Sequence, residues 1–307
     1  MPLVPAISEN PSYLILLTVA NIYAVFTVSF DILSGYTGYV NMGYTFLIAV
    51  GGYSAALLNI HCHVSPFLDI IVGGIVSAVT SMLLALPSLR LKGPYFAILS
   101  FIYPLIFEKI TKIFYPIFRG EDGLAGITSL TESLVTNYYL TLFFAVTSTF
   151  LITMCSNSYI GTIFKAIRED ETACEASGVN ITLYKFTAFT ISAFFAGAAG
   201  ATYGHIFTLV SLDLVSLSLL VTLLTTWIVG GIGTLIGPAA AAYVMYMLDE
   251  QLRRIMPEMR TSIFCLVLIF LILLEPQGVF NRIFSDFKKY LRQGINKEGG
   301  HFGRKDT

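Results

Sequence analysis

Nine stretches of this chain stay apolar, several of them for close to the thickness of a lipid bilayer, and no other feature limits its fold as much. They cover 12–30, 38–59, 66–87, 94–114, 137–156, 186–209, 215–231, 236–248 and 261–275. A helix rises about 1.5 Å per residue, so about 20 residues cross a hydrocarbon layer of about 30 Å. Several runs reach that length; 215–231 and 236–248 are short and interrupted by glycine. Charged residues make up only 12% of the chain and hydrophobic ones 55%, whereas a soluble domain carries about 25% charge. In lipid, only helices and closed barrels satisfy their own backbone polar groups. A barrel would read as segments of about ten residues with alternating polarity, and these runs do not alternate. The expectation is an all-α fold: a polytopic transmembrane helical bundle of eight or nine spans with glycine-broken helices. Residues 1–281 form the membrane domain and 282–307 a polar C-terminal tail.

Basic residues give the expected sidedness, because Lys and Arg collect in cytoplasmic loops. None precedes Arg90, so the first run lacks the basic flank of a cleaved signal peptide and reads as a true span. Seven fall from Arg282 onward, three are Lys165, Arg168 and Lys185, and two are Arg90 and Lys92. Placing these 12 inside leaves six outside: Lys109, Lys112, Arg119, Arg253, Arg254 and Arg260, which are interleaved with acids. The alternation of spans then puts 115–136 and 249–260 outside and the C-terminus in the cytoplasm. With nine crossings, the N-terminus lies outside.

One polar island, 161–178, separates two apolar runs and reads as a short surface helix. Glu169, Asp170 and Glu171 stand together in it, and Gly178 sits where a left-handed residue would stop a helix. A membrane protein that keeps such a helix between spans offers it to a partner in the water.

The segment from Gly35 through Gly38, Asn41, Gly43, Tyr44 and Thr45 to Gly51 and Gly52 is dense in glycine and polar residues. Small residues allow close helix packing, and glycine also lets a helix break where its backbone lines a cavity. Both readings stay open for each glycine; the segment as a whole points to a pathway. Leu89–Ala97 reads as a cytoplasmic turn into a new span, and Gly120–Ile127 as an outer loop. Gly230–Pro238 is glycine-rich but lacks the Lys-Ser/Thr of a phosphate-binding loop, and no such motif occurs elsewhere. The chain is therefore not expected to hydrolyse ATP itself. Asp69, Glu108, Asp213 and His205 lie near the ends of runs, and Asp31 follows the first span. An ion-coupled carrier usually keeps a carboxylate or histidine at membrane depth. No zinc-protease pair or triad spacing appears, so an enzyme has little to stand on. Cys62, Cys155, Cys174 and Cys265 are scattered and read as small buried hydrophobes. His61-Cys62-His63 lacks further clustered ligands, so no metal is expected, and the glycosylation-like Asn180–Thr182 falls on the cytoplasmic side.

Taken in order, these segments resemble the branched-chain amino acid ABC permeases of the LivM type, binding-protein-dependent inner-membrane components. The matching residues are Gly35–Gly38, Leu89–Ala97, Asp122–Ile127, Gly230–Pro238 and the closing Pro276–Gly278. The most specific match is Ala166–Glu171 with Ala176, Gly178, Tyr184-Lys185 and Ala198–Tyr203. The resemblance covers roughly 13–282. Many relatives carry histidine where Tyr44 stands and often arginine at Glu275.

The resemblance implies a permease subunit that moves branched-chain, hydrophobic amino acids into the cytoplasm. It implies a second homologous permease, two ATPase subunits that hold ATP and Mg, and an external substrate-binding protein. No cofactor is implied in this chain, and no nucleic acid. The island is similar to the coupling helix that docks on the ATPase. Lys165, Arg168, Glu169, Asp170, Glu171 and Glu175 would supply its rim contacts, and Ile163, Phe164, Ile167 and Ala173 its buried part, beside Ala176 and Gly178. For the substrate pathway the candidates are Gly38, Asn41, Gly43, Tyr44 and Thr45. Urea or another small amide is the nearest alternative cargo; a stand-alone carrier or channel, and a scaffold without transport, are the other classes.

Overall fold

The computed structural model describes residues 11–88, 91 and 93–274. Arg90, Lys92, Glu275, Pro276–Gly278 and the tail lie outside the described residues. In chain order the helices are α1 (Pro11–Phe30), α2 (Tyr44–Cys62), α3 (Pro66–Ser88), α4 (Pro94–Ile113) and the short α5 (Tyr115–Phe118). Then come α6 (Leu134–Ser156), α7 (Tyr159–Glu169), α8 (Glu171–Ala176), α9 (Ile181–Phe207), α10 (Leu217–Gly230), α11 (Ile236–Ile255) and α12 (Arg260–Leu274). Among the described residues, five helices, α1 with its continuation to Gly35, α2, α3, α6 and α9, are long and apolar enough to cross a membrane. The apolar helix α10 and the apolar part of α12 are shorter. The expected all-α bundle is what forms.

The central helix is α1. It is apolar on every side and 83% of its spanning window is buried, as expected for a helix surrounded by others. It touches α6, α9, α10 and α11. Around it, α2, α3 and α9 approach through glycine. A Cβ on Gly51 would lie 2.2 Å from the Gly197 Cα, and one on Gly200 would lie 2.2 Å from the Ile48 carbonyl oxygen. Without a hydrophobic drive between helices in lipid, such close backbone contact is what holds them together.

Three expectations need correction. Asp31 does not follow the first span: the helix continues through a π-helical turn, Asp31–Gly35, and Asp31 is wholly buried. The run expected to end at residue 248 continues as α11 to Ile255. Asp249 is buried there and accepts from the Arg260 Nε and Nη2, at 2.6 and 2.7 Å. Without that ion pair a carboxylate there would stand unpaired at low dielectric. Last, Cys62 is exposed rather than buried. At the other expected outer segment, the strand Leu124–Ala125 (β1) pairs antiparallel with Leu209–Val210 (β2).

Candidate functional site

The island is not one helix. Asp170 is extended between α7 and α8, with φ −157°. Its carboxylate accepts from the Thr172 and Ala173 amides at 2.8 and 3.1 Å, so it starts α8 as an N-cap. Gly178, at φ 81°, follows the end of α8 in the left-handed region, where glycine carries no Cβ penalty. At the other end, a Cβ on Gly161 would lie 1.9 Å from the Ser156 carbonyl oxygen, so α7 leaves α6 in a tight turn only glycine allows.

Helix α7 is strongly two-faced. Ile163, Phe164 and Ile167 recur at helical spacing and are buried in this chain, against α6 and α9. The expectation that they form the buried part of an ATPase contact is therefore corrected: they seat the island on its own spans. Lys165, Ala166, Arg168, Glu169, Asp170, Ala173, Glu175 and Ala176 are exposed.

Two side chains of the island reach inward. The Arg168 Nη1 donates to the Gly35 carbonyl at 2.6 Å. Glu171 turns away from the water, accepts from the Tyr39 hydroxyl, and lies 3.2 Å from the buried Lys185 ammonium. That ammonium also sits 4.5 Å from the Tyr39 ring centre, and Lys165 stands 4.9 Å from the Tyr36 ring centre. Burial and the neighbouring Glu171 carboxylate push the Tyr39 phenol well above its usual range, so it remains a donor. Glu171 is thus an internal anchor rather than a rim acid.

These contacts meet the end of α1, where Asp31 ties a further element in. Its carboxylate accepts from the Trp227 indole at 2.6 Å and from the Gly233 and Leu235 amides at 2.7 and 2.9 Å. Gly233 and Leu235 lie in the break between α10 and α11. A Cβ on Gly35 would collide with the Asp31 carboxylate at 2.0 Å, which keeps residue 35 a glycine. Island, α1 end and the α10–α11 break therefore form one hydrogen-bonded junction. Sequence reading gave Asp31, Tyr39, Lys185 and Trp227 no part in the site. The available signal was Asp31 itself, a lone acid at the end of an apolar run with Gly35 four residues on.

The pathway candidates separate. Tyr44 is fully buried, donates to the Ser29 hydroxyl at 2.7 Å and packs edge-on against Phe30. Asn41 is buried and caps the Gly43 amide at 2.9 Å, while its Nδ2 has no partner among the described residues. A Cβ on Gly43 would meet the Ser100 carbonyl at 2.2 Å, and one on Gly38 would meet Arg168 Cγ at 3.2 Å. Asn41, Gly43 and Tyr44 are packed inside the protein, whereas Gly38 is exposed beside Arg168. Thr45 lines a cavity, a space of about 430 Å³ between α2, α4 and the start of α10.

Residues 12–273 match the family described as "Branched-chain amino acid transport system / permease component". The chain belongs to this family. It is 28% identical over 295 residues to the high-affinity branched-chain amino acid transport system permease protein LivM of Salmonella typhimurium (strain LT2), over 85% of this chain and 68% of the relative. The LivM protein of Escherichia coli (strain K12) is 26% identical with the same coverage. No solved structure matches the chain. Family and apolar helices together make this a multi-pass inner-membrane component of a transport system, and its relatives are permeases rather than enzymes.

Proposed function

We propose that this chain is the permease subunit of an ABC importer that moves branched-chain amino acids into the cytoplasm. ATP is hydrolysed in two separate subunits, a second homologous permease completes the route, and an external binding protein delivers the substrate. The observation that carries this reading is the family match over 12–273, which contains the island and the junction it makes with the α1 end. Exposed Lys165, Glu169, Glu175 and Ala176 supply the face for the ATPase, with the C-terminus on the same, cytoplasmic side. A push on α7 and α8 is passed by Arg168 and Glu171 to residues 35–39, and by Asp31 to the α10–α11 break. Because the apolar face of α7 is buried on its own spans, the island moves with them and not independently of them.

The test is accumulation of radiolabelled leucine in vesicles holding the full importer. Uptake against a gradient that needs ATP on the cytoplasmic side supports the reading. Uptake of leucine by this chain alone on a proton or sodium gradient would overturn it, and ATP-driven uptake of urea in preference to leucine would replace the cargo.

A further inference from the structure

The cavity beside Thr45 has a polar end and an apolar end. Its polar mouth holds Glu108, Lys112, Glu121, Ser211 and Asp213, and its walls are Phe101, Leu105, Val215 and Leu220. From Phe101 to Lys112 it follows α4 for about 16 Å, at about 1.5 Å per residue. At its deep end Thr45 is 1% exposed, and no hydrogen bond joins its hydroxyl to another described residue. The Thr45 hydroxyl lies on the cavity wall, where it can donate to or accept from a ligand atom.

The mouth cannot face acyl chains, since three carboxylates and one ammonium there need water or protein beside them. Within it, Lys112 Nζ lies 2.8 Å from both Glu108 and Glu121. Asp213 accepts from the Ser211 hydroxyl at 3.0 Å and has no basic partner among the described residues. The mouth therefore presents one uncompensated carboxylate for a cation, and one ammonium whose acids can yield to another carboxylate. An aliphatic wall follows directly behind. Pockets of this size, apolar with a few convergent polar groups, suit a small molecule held by both ends.

We propose that this cavity is the first membrane site for the substrate and that it takes an aliphatic α-amino acid zwitterion. Asp213 receives the ammonium, Lys112 the carboxylate, and Phe101, Val215 and Leu220 surround the side chain. Thr45 receives the substrate's polar end as it moves deeper. The substrate class rests on the branched-chain reading above; the existence and route of the cavity do not.

The experiment is thiol labelling in the intact importer, in a Cys62→Ser background because Cys62 is itself exposed. Val215→Cys and, separately, Thr45→Cys are treated from outside with a small, charged, membrane-impermeant thiol reagent. Labelling is expected to stop leucine import, and leucine is expected to slow labelling about tenfold or more when present well above its half-saturating level, while urea does not. Thr45→Val, of the same shape without the hydroxyl, should slow import roughly two- to tenfold, as loss of one hydrogen bond does. Cysteines that label without harm to import, or do not label while wild-type import is intact, overturn the cavity. Protection by isopentylamine as strong as by leucine keeps the cavity but overturns the zwitterion in favour of a simple cation. Failure of the wild-type importer to move leucine overturns the substrate class; blocked import of whatever it does move then still supports the route.

Discussion

Replacing Asp31 by alanine should be among the most damaging single changes in the chain. The carboxylate is wholly buried and satisfies three donors, the Trp227 indole and the Gly233 and Leu235 amides. Each buried donor left without an acceptor costs about 1–3 kcal/mol, so Asp31→Ala forfeits roughly 3–9 kcal/mol. A folded protein is stable by only about 5–15 kcal/mol, so this is a large share. Asp31→Asn is the graded control. Its remaining oxygen can serve Trp227 and Gly233, and only Leu235 then faces an amide instead of an acceptor, at about 1–3 kcal/mol. In detergent-solubilised protein, thermal unfolding followed by tryptophan fluorescence should rank wild type, Asn and Ala in that order. At about 2 °C or more per kcal/mol, Ala should melt at least 6 °C lower, or fail to fold. Trp227 reports from the junction itself, being the single tryptophan of the chain. An alanine variant that melts within about a degree of wild type would refute the stapling of α1 to the α10–α11 break.

Two charge reversals on the island should behave oppositely. Glu169→Lys, at an exposed site, should keep the melting temperature and weaken ATP-driven import. Glu171→Lys puts a second ammonium beside Lys185 and removes the acceptor of Tyr39, so it should lower the melting temperature. Equal stability of the two variants in the same melting assay would remove the anchoring role of Glu171. Gly51→Ala drives a methyl group to 2.2 Å from the Gly197 backbone. It should destabilise the protein by about 1–3 kcal/mol or more, read as a fall in the detergent melting temperature.

Runs of apolar residues made the membrane bundle legible, because length and composition alone decide what lipid tolerates. Gly178 and the glycine-rich 35–52 segment were also readable, since turns and close helix crossings require glycine locally. The junction was not. Asp31 and Trp227 are 196 positions apart, and Tyr39 and Glu171 are 132 apart. Pairing at that distance leaves no mark in a local pattern. For the same reason Glu171 looked equivalent to Glu169 in the sequence, although one is turned inward and the other outward. The apolar stripe of α7 told that a surface would be buried; whether in a partner or in the chain itself depends on where α6 and α9 run. Polar type and glycine density picked out the segment that holds the pathway candidates but could not separate its members. Only the break at 38–43 and the packing of Gly43 on Ser100 decide that Thr45 reaches the cavity and Tyr44 does not.

The central claim is that movement of the island reaches the spans through its contact with the α1 end. The most direct measurement is the number of ATP molecules hydrolysed per leucine imported by the reconstituted importer carrying Arg168→Gln. That side chain keeps its place on α7 but loses the charged donor to Gly35. The account predicts that hydrolysis continues while import falls, so that the ratio rises severalfold. An unchanged ratio, with both rates intact, would contradict it.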